Sequence, residues 1–142
     1  AHTPDALKSA LKALSYHFDG KIWCIFGCGG NRDQGKRRIM GEVAERHADY
    51  VIVTDDNPRN ESGDDIVQHI LGGMSCPQTV SIIRDRAKAI AFAIKNASSC
   101  DVVLIAGKGH ETSQDILGIR NNFSDSVEAK LALQERGLTV DR

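Results

Sequence analysis

The chain carries no surplus charge: 18 Lys and Arg stand against 19 Asp and Glu, a formal net charge of −1. The basic residues are spread along the sequence, which excludes the electrostatic footprint of a nucleic-acid binder. Long hydrophobic runs are absent as well. The longest apolar stretches are strand-length, so no membrane span is expected. The opening AHTPDALKSALKAL has neither the basic start nor the apolar stretch of a secretory signal. The four cysteines, Cys24, Cys28, Cys76 and Cys100, form no metal-binding pattern. Cys24 falls in a predicted strand and Cys28 in the loop after it, so the two thiols do not aim at one ion, and no His/Cys partner follows at zinc spacing. Reduced thiols and a cytoplasmic setting are the expectation. There is no repeat, low-complexity tract or linker, and 142 residues are enough for one domain and too few for two.

What is present is an alternation. Thr3, Pro4 and Asp5 open a helix whose apolar residues Leu7, Ala10, Leu11 and Leu14 share one face, over residues 3–14. KIWCIFG (21–27), YVIVTD (50–55), QTVSII (78–83) and DVVLIAG (101–107) read as strands. Between them lie helical patterns at 35–47, around Ile66–Leu71 with a stop at Gly72-Gly73, and around Ala87–Ile94. A closing helix spans 124–137, with Ser124 as its cap and Gly137 as its stop. Apolar strands joined by helices predict an α/β fold, a mostly parallel sheet with helices on both faces. Ligands bind such sheets beyond the carboxyl ends of the strands, which directs attention to three loops.

GCGGNRDQGKR (27–37) is neither a dinucleotide fingerprint nor a Walker A loop, because its glycines are misplaced and Arg37 stands where Ser or Thr is required. Lys36, Arg37 and Arg38 crowd a first helical turn that disfavours cations, with Arg32 just upstream. Either this is a solvated basic helix start or an anion comes close. In TDDNPRNE (54–61), Pro58 keeps Asn57 out of the helical region, Asp55 or Asp56 is placed for an Asx turn, and Ser62 is placed to cap the next helix. None of that explains Arg59. An arginine held beside a proline presents a fork that matches a carboxylate, and Asp56 is a candidate acceptor for an ammonium. A carboxylate reader beside an ammonium reader is an amino-acid site. In GKGHE (107–111), Gly107 and Gly109 let the backbone approach a ligand, and Glu111 adds an acceptor. His110 reads as a turn residue and Lys108 as a surface charge.

Together HTPDAL, GCGGNRDQGKR, TDDNPR and AGKGHE, in this order and at these strand ends, closely resemble the C-terminal domain of a Mur ligase, over essentially the whole of residues 1–142. Asn31 and Arg38 depart from residues common in that family, and both only flank the candidate site. The resemblance implies a Rossmann-like sheet. It also implies a part in cytoplasmic ATP-driven peptide-bond formation, in which meso-diaminopimelate joins UDP-MurNAc-L-Ala-D-Glu through an acyl phosphate during peptidoglycan synthesis. DNPR (56–59) resembles the motif that selects diaminopimelate over lysine. Carried over, the diaminopimelate ligands are Arg32, Asp56, Asn57, Arg59, Gly107 and Glu111. Arg59 grips the carboxylate at the far end, with Asn57 and Asp56 arranged around that same end, Arg32 holds the other carboxylate, and the Gly107 backbone with Glu111 takes an ammonium.

The family's phosphate loop, magnesium ligands and modified lysine lie in a central domain, and its uridine-nucleotide site in an N-terminal one. No stretch of this sequence matches them. ATP and Mg2+ are therefore expected on other parts of a longer enzyme, and this domain alone is expected to be inactive. His2 follows the point where the family's hinge contacts ATP, and it is either a nucleotide contact or a helix-entry residue. The alternative reading is a stand-alone amino-acid-binding or partner-binding module that kept the fold without catalysis. A dinucleotide-binding oxidoreductase is disfavoured by the missing G-x-G-x-x-G.

Overall fold

In the computed structural model, residues 2–137 are described. Four strands form a parallel sheet in the order β3-β2-β1-β4: β1 (Ile22–Phe26), β2 (Tyr50–Val53), β3 (Ser81–Ile82) and β4 (Val102–Ile105). The helices are α1 (Pro4–His17), α2 (Gly35–His47), α3 (Gly63–Leu71), α4 (Arg86–Asn96) and α5 (Asp125–Glu135). The side-chain period of two along β1 divides the core. Ile22, Cys24 and Phe26 pack with Leu7, Leu11, Met40 and Ile70 of α1, α2 and α3. Trp23 and Ile25 pack with Ile90 and Ala93 of α4 and Ala132 of α5. Both faces of the sheet are covered, as its unbroken apolar strands require.

The helix caps follow local chemistry. Thr3 Oγ1 accepts the Ala6 N–H, Ser62 Oγ that of Asp65 and Ser124 Oγ that of Val127. Helix α1 runs one turn further than its apolar pattern, to His17. The third strand is much shorter than expected. Pro77–Thr79 form a 3-10 turn, with the Thr79 hydroxyl on the Cys76 carbonyl at 2.8 Å. The Thr79 and Val80 N–H groups donate within this turn, to the Cys76 and Pro77 carbonyls, so pairing begins only at Ser81. The expected Asx turn is also replaced. Asp55 is gripped by the Arg84 fork at 3.2 Å on both oxygens, a partner 29 residues away.

One element has no counterpart in the sequence expectation. β5 (Ser113–Ile116) and β6 (Ile119–Asn122) form an antiparallel hairpin. Its two-residue turn, Leu117-Gly118, has φ of 54° and 79°, the positive pair that a tight hairpin favours. The strands are short and mostly polar, so no apolar run marks them.

The chain climbs from β1 to β2 to β3 and then returns to β4 on the other side of β1. This reversal opens a crevice at the carboxyl ends of β1 and β4, the place where such sheets bind ligands.

Candidate functional site

The loops after β1, β2 and β4 meet over that crevice and surround a cavity of about 410 Å³. Arg32, Asp56, Asn57, Arg59, Gly107 and Glu111, the six residues singled out in the sequence, all line it, and so does His2. The volume suits a small polar ligand. The wall mixes signs: Arg32, Lys36, Arg37 and Arg59 against Asp33, Asp56 and Glu111.

Backbone contact holds the first two loops together. A Cβ on Gly30 would lie 1.7 Å from the Pro58 carbonyl, so only glycine allows this approach. The Gly30 N–H donates to the Asn57 carbonyl at 2.7 Å, and Arg59 Nη1 donates back to the Gly30 carbonyl at 2.9 Å. Arg59 has φ of 54°, strained for a residue with a side chain. The hairpin holds it there, since the Arg59 N–H donates to Asp115 and its carbonyl accepts from Leu117. The Nε and Nη2 side of its guanidinium has no hydrogen-bond partner among the described residues. That side is the fork a carboxylate would meet.

On the acidic side, Asp56 is buried, and its Oδ1 has no hydrogen-bond partner among the described residues. Its backbone carbonyl accepts from Gln114 at 2.8 Å. Glu111 is exposed and lies 3.7 Å from His2 Nε2. Gly107 has φ of 110°, a value that side-chain-bearing residues rarely adopt.

Two expectations about the basic residues change. Arg37 belongs to no open anion cradle: it is 1% exposed and meets Glu61 Oε2 at 2.6 Å, the Gly29 carbonyl at 2.9 Å and His69 Nδ1 at 3.0 Å. Arginine only donates, so Nδ1 must accept and His69 carries its proton on Nε2. Glu61 also accepts the Asn31 N–H, bracing the glycine-rich loop where Asn31 has φ of 54°. The Arg37 hydrogen bond, then the Asn31 N–H, hold the Glu61 carboxyl below the usual carboxylate range. Arg32 and Lys36 are exposed on the cavity wall. Lys108 is likewise no surface charge. It is 1% exposed, with Nζ bound to Asn57 Oδ1 at 3.0 Å and the Ser113 carbonyl at 2.9 Å. Nothing local in GKGHE signals this, because the partners come from β2's loop and from the unforeseen hairpin. His110 is exposed, consistent with a turn residue.

Cys28 also lines the cavity, and burial pushes its thiol up to about 12, so it stays protonated and is no nucleophile near neutral pH. Among the described residues no group of three His, Cys, Asp or Glu is placed to hold a metal ion. No helix among the described residues is long and apolar enough to cross a membrane.

Residues 1–109 match the family described as Mur ligase, glutamate ligase domain. The chain belongs to this Mur ligase family. It is 56% identical over 133 residues to a UDP-N-acetylmuramoyl-L-alanyl-D-glutamate--2,6-diaminopimelate ligase of Xylella fastidiosa (strain 9a5c), covering 94% of this chain and 27% of that protein. It is 53% identical over 141 residues to the Xanthomonas campestris pv. campestris (strain 8004) protein of the same name, covering 99% of this chain and 28% of that one. A solved structure of a UDP-N-acetylmuramoyl-L-alanyl-D-glutamate--2,6-diaminopimelate ligase superposes with a TM-score of 0.92 at 44% identity, over 98% of this chain and 29% of that one. The chain thus spans just over a quarter of the length of these Mur ligases. The likeness includes the hairpin and α5, which lie beyond the matched family region.

Proposed function

We propose that the chain is the C-terminal amino-acid-recognition domain of an ATP-dependent ligase that adds meso-diaminopimelate to UDP-MurNAc-L-Ala-D-Glu in cytoplasmic peptidoglycan synthesis. The observation that carries this reading is the unengaged fork of Arg59 in a cavity that also holds Arg32, Asp56 and Glu111. A ligand bearing a carboxylate and an ammonium at each end finds an opposite charge for each. Arg59, with the amide of Asn57, pairs the far carboxylate, and Arg32 the near one. Asp56, and Glu111 beside the Gly107 backbone, are the acceptors for ammonium groups.

Lysine lacks the second carboxylate. Bound here, it would leave the Arg59 fork desolvated and unpaired and bring its ε-ammonium towards a like charge. Sites built to pair a group reject an analogue without it by roughly 10⁴-fold in favourable cases.

In the whole enzyme ATP supplies the activation of the acceptor carboxylate. ATP and Mg2+ belong mainly to regions outside this chain, with His2 at the cavity rim as a candidate nucleotide contact. This chain's residues bind the incoming amino acid and orient its amine. The test is a full-length ligase assayed with diaminopimelate and with lysine, wild type against Arg59→Ala. Selective loss of diaminopimelate turnover is expected. Unchanged diaminopimelate kinetics in the variant would remove Arg59 from the site, and equal use of both amino acids by the wild type would overturn the reading.

A further inference from the structure

We propose that Lys108 is a specificity-positioning residue: its buried ammonium fixes the side-chain amide of Asn57 so that the cavity meets a hydrogen-bond donor and never an acceptor. The inference rests on the functional reading above and goes beyond it, because Lys108 is not on the cavity wall. It would act through Asn57.

The observations begin with burial. The Lys108 side chain is 0% exposed, and a buried ammonium must be matched by acceptors. It finds Asn57 Oδ1 at 3.0 Å and the Ser113 carbonyl at 2.9 Å, with Asp56 Oδ1 at 3.5 Å and Glu111 Oε1 at 3.7 Å. Asn57 Oδ1 accepts a second hydrogen bond, from the Asp115 N–H at 2.9 Å. An ammonium and a peptide N–H can only donate. Both therefore demand the amide oxygen, and the amide has one orientation. Its NH2 group is turned to the other side, where it donates a long 3.4 Å bond to Glu111 Oε1, and its second hydrogen has no partner among the described residues.

The consequence is chemical. In the cavity that the Arg59 fork also lines, Asn57 offers a donor, which a carboxylate accepts and an ammonium cannot use. Reversing the amide would place an acceptor in that cavity and give the ε-ammonium of lysine a partner. The lysine in the loop after β4 thus sets the polarity of a residue in the loop after β2, 51 positions away in the chain.

The test uses a full-length ligase containing this chain, with steady-state kinetics on meso-diaminopimelate and on lysine. Lys108→Met is expected to raise KM for diaminopimelate about tenfold, as loss of a hydrogen-bond donor to a recognition group should, with kcat falling less. In an Asn57→Ala background the same change is expected to add little, because its path runs through the missing amide. An equal factor in both backgrounds, as general loosening would give, overturns the proposal. If Lys108→Met does not fold, Asn57→Asp decides instead. It keeps the acceptor for Lys108 and Asp115 but removes the donor, so diaminopimelate binding should weaken at an unchanged Tm, and an unchanged KM overturns the proposal. A wild-type enzyme that uses lysine as readily as diaminopimelate overturns the functional reading and this inference together. Discrimination that is lost in Arg59→Ala but intact in both Lys108→Met and Asn57→Asp overturns this inference alone.

Discussion

Two buried cations of this domain, Arg86 and Lys108, stand on opposite sides of one functional boundary. Arg86, at the start of α4, is 1% exposed and its contacts form a closed set. Nε and Nη2 meet the two oxygens of Asp125 at 2.7 and 2.8 Å, Nη1 the Asp55 carbonyl at 3.1 Å, and Nη2 also the Ala106 carbonyl at 3.0 Å. It ties the ends of β2 and β4 to the first turn of α5. Lys108 is as deeply buried, but its shortest bonds go to neutral oxygens, and the carboxylates near it stay at 3.5 and 3.7 Å. One of them, Asp56, keeps a buried oxygen without a hydrogen-bond partner among the described residues. A closed ionic set holds a fold in place, whereas an open one leaves capacity for a ligand.

The contrast predicts that stability and recognition separate. The largest effect belongs to Arg86→Met, which strands Asp125 in the core and should cost about 3–5 kcal/mol in chemical denaturation. Adding Asp125→Leu should recover most of that loss, since removing both charges ends the uncompensated burial. No recovery would mean that the carbonyl contacts to Asp55 and Ala106 dominate. Next comes Arg59→Ala, expected to lower kcat/KM for diaminopimelate by roughly 2–4 kcal/mol in the full-length enzyme, with much less change in unfolding. A large unfolding effect would place Arg59 with Arg86 as a structural residue.

A smaller effect is expected from pH. The folded Glu61 carboxyl lies below its ordinary range because Arg37 and the Asn31 N–H favour its charged form. The unfolded chain therefore binds more protons there, so the contribution is complete above the ordinary glutamate value of about 4.3 and is lost as pH falls through the folded value. In Glu61→Gln that part of the acid loss should vanish from denaturation curves taken at falling pH. The smallest effect is Leu117→Asn at the hairpin turn. Asparagine tolerates φ of 54° better than leucine, so a gain of about 0.5–1 kcal/mol is expected. A loss would show that Leu117, 68% exposed, has packing that outweighs its strain.

Much of the fold was legible because the signals are local. Thr3, Ser62 and Ser124 cap their helices by reaching N–H groups three residues on, and the α2 pattern at 35–47 matches its helix end to end. The charges whose surroundings differ from expectation share one cause, partners that are remote in sequence. Asp55, one of two candidates for a local turn, meets Arg84 instead, and Arg37, a candidate for a solvated helix start or an anion site, meets Glu61 instead. The hairpin escaped notice because four polar-rich residues per strand leave no run, and Leu-Gly is a weaker turn signal than Asn-Gly. In the candidate site, residue type pointed to Arg59, Asp56 and Glu111, since charges beside glycine and proline lack a structural excuse. Lys108 gave no such sign.

By itself, the sequence determined the alternation of apolar strands and capped helices, the three loops at the strand ends and the charged residues they carry. These depend on periods of two and 3.6 residues and on turn chemistry, all set within a few neighbours. Only the tertiary structure decided which charges are consumed internally and which face the cavity. That choice depends on desolvation and on partners such as Gln114 and Asp56, 58 residues apart, which local pattern does not encode.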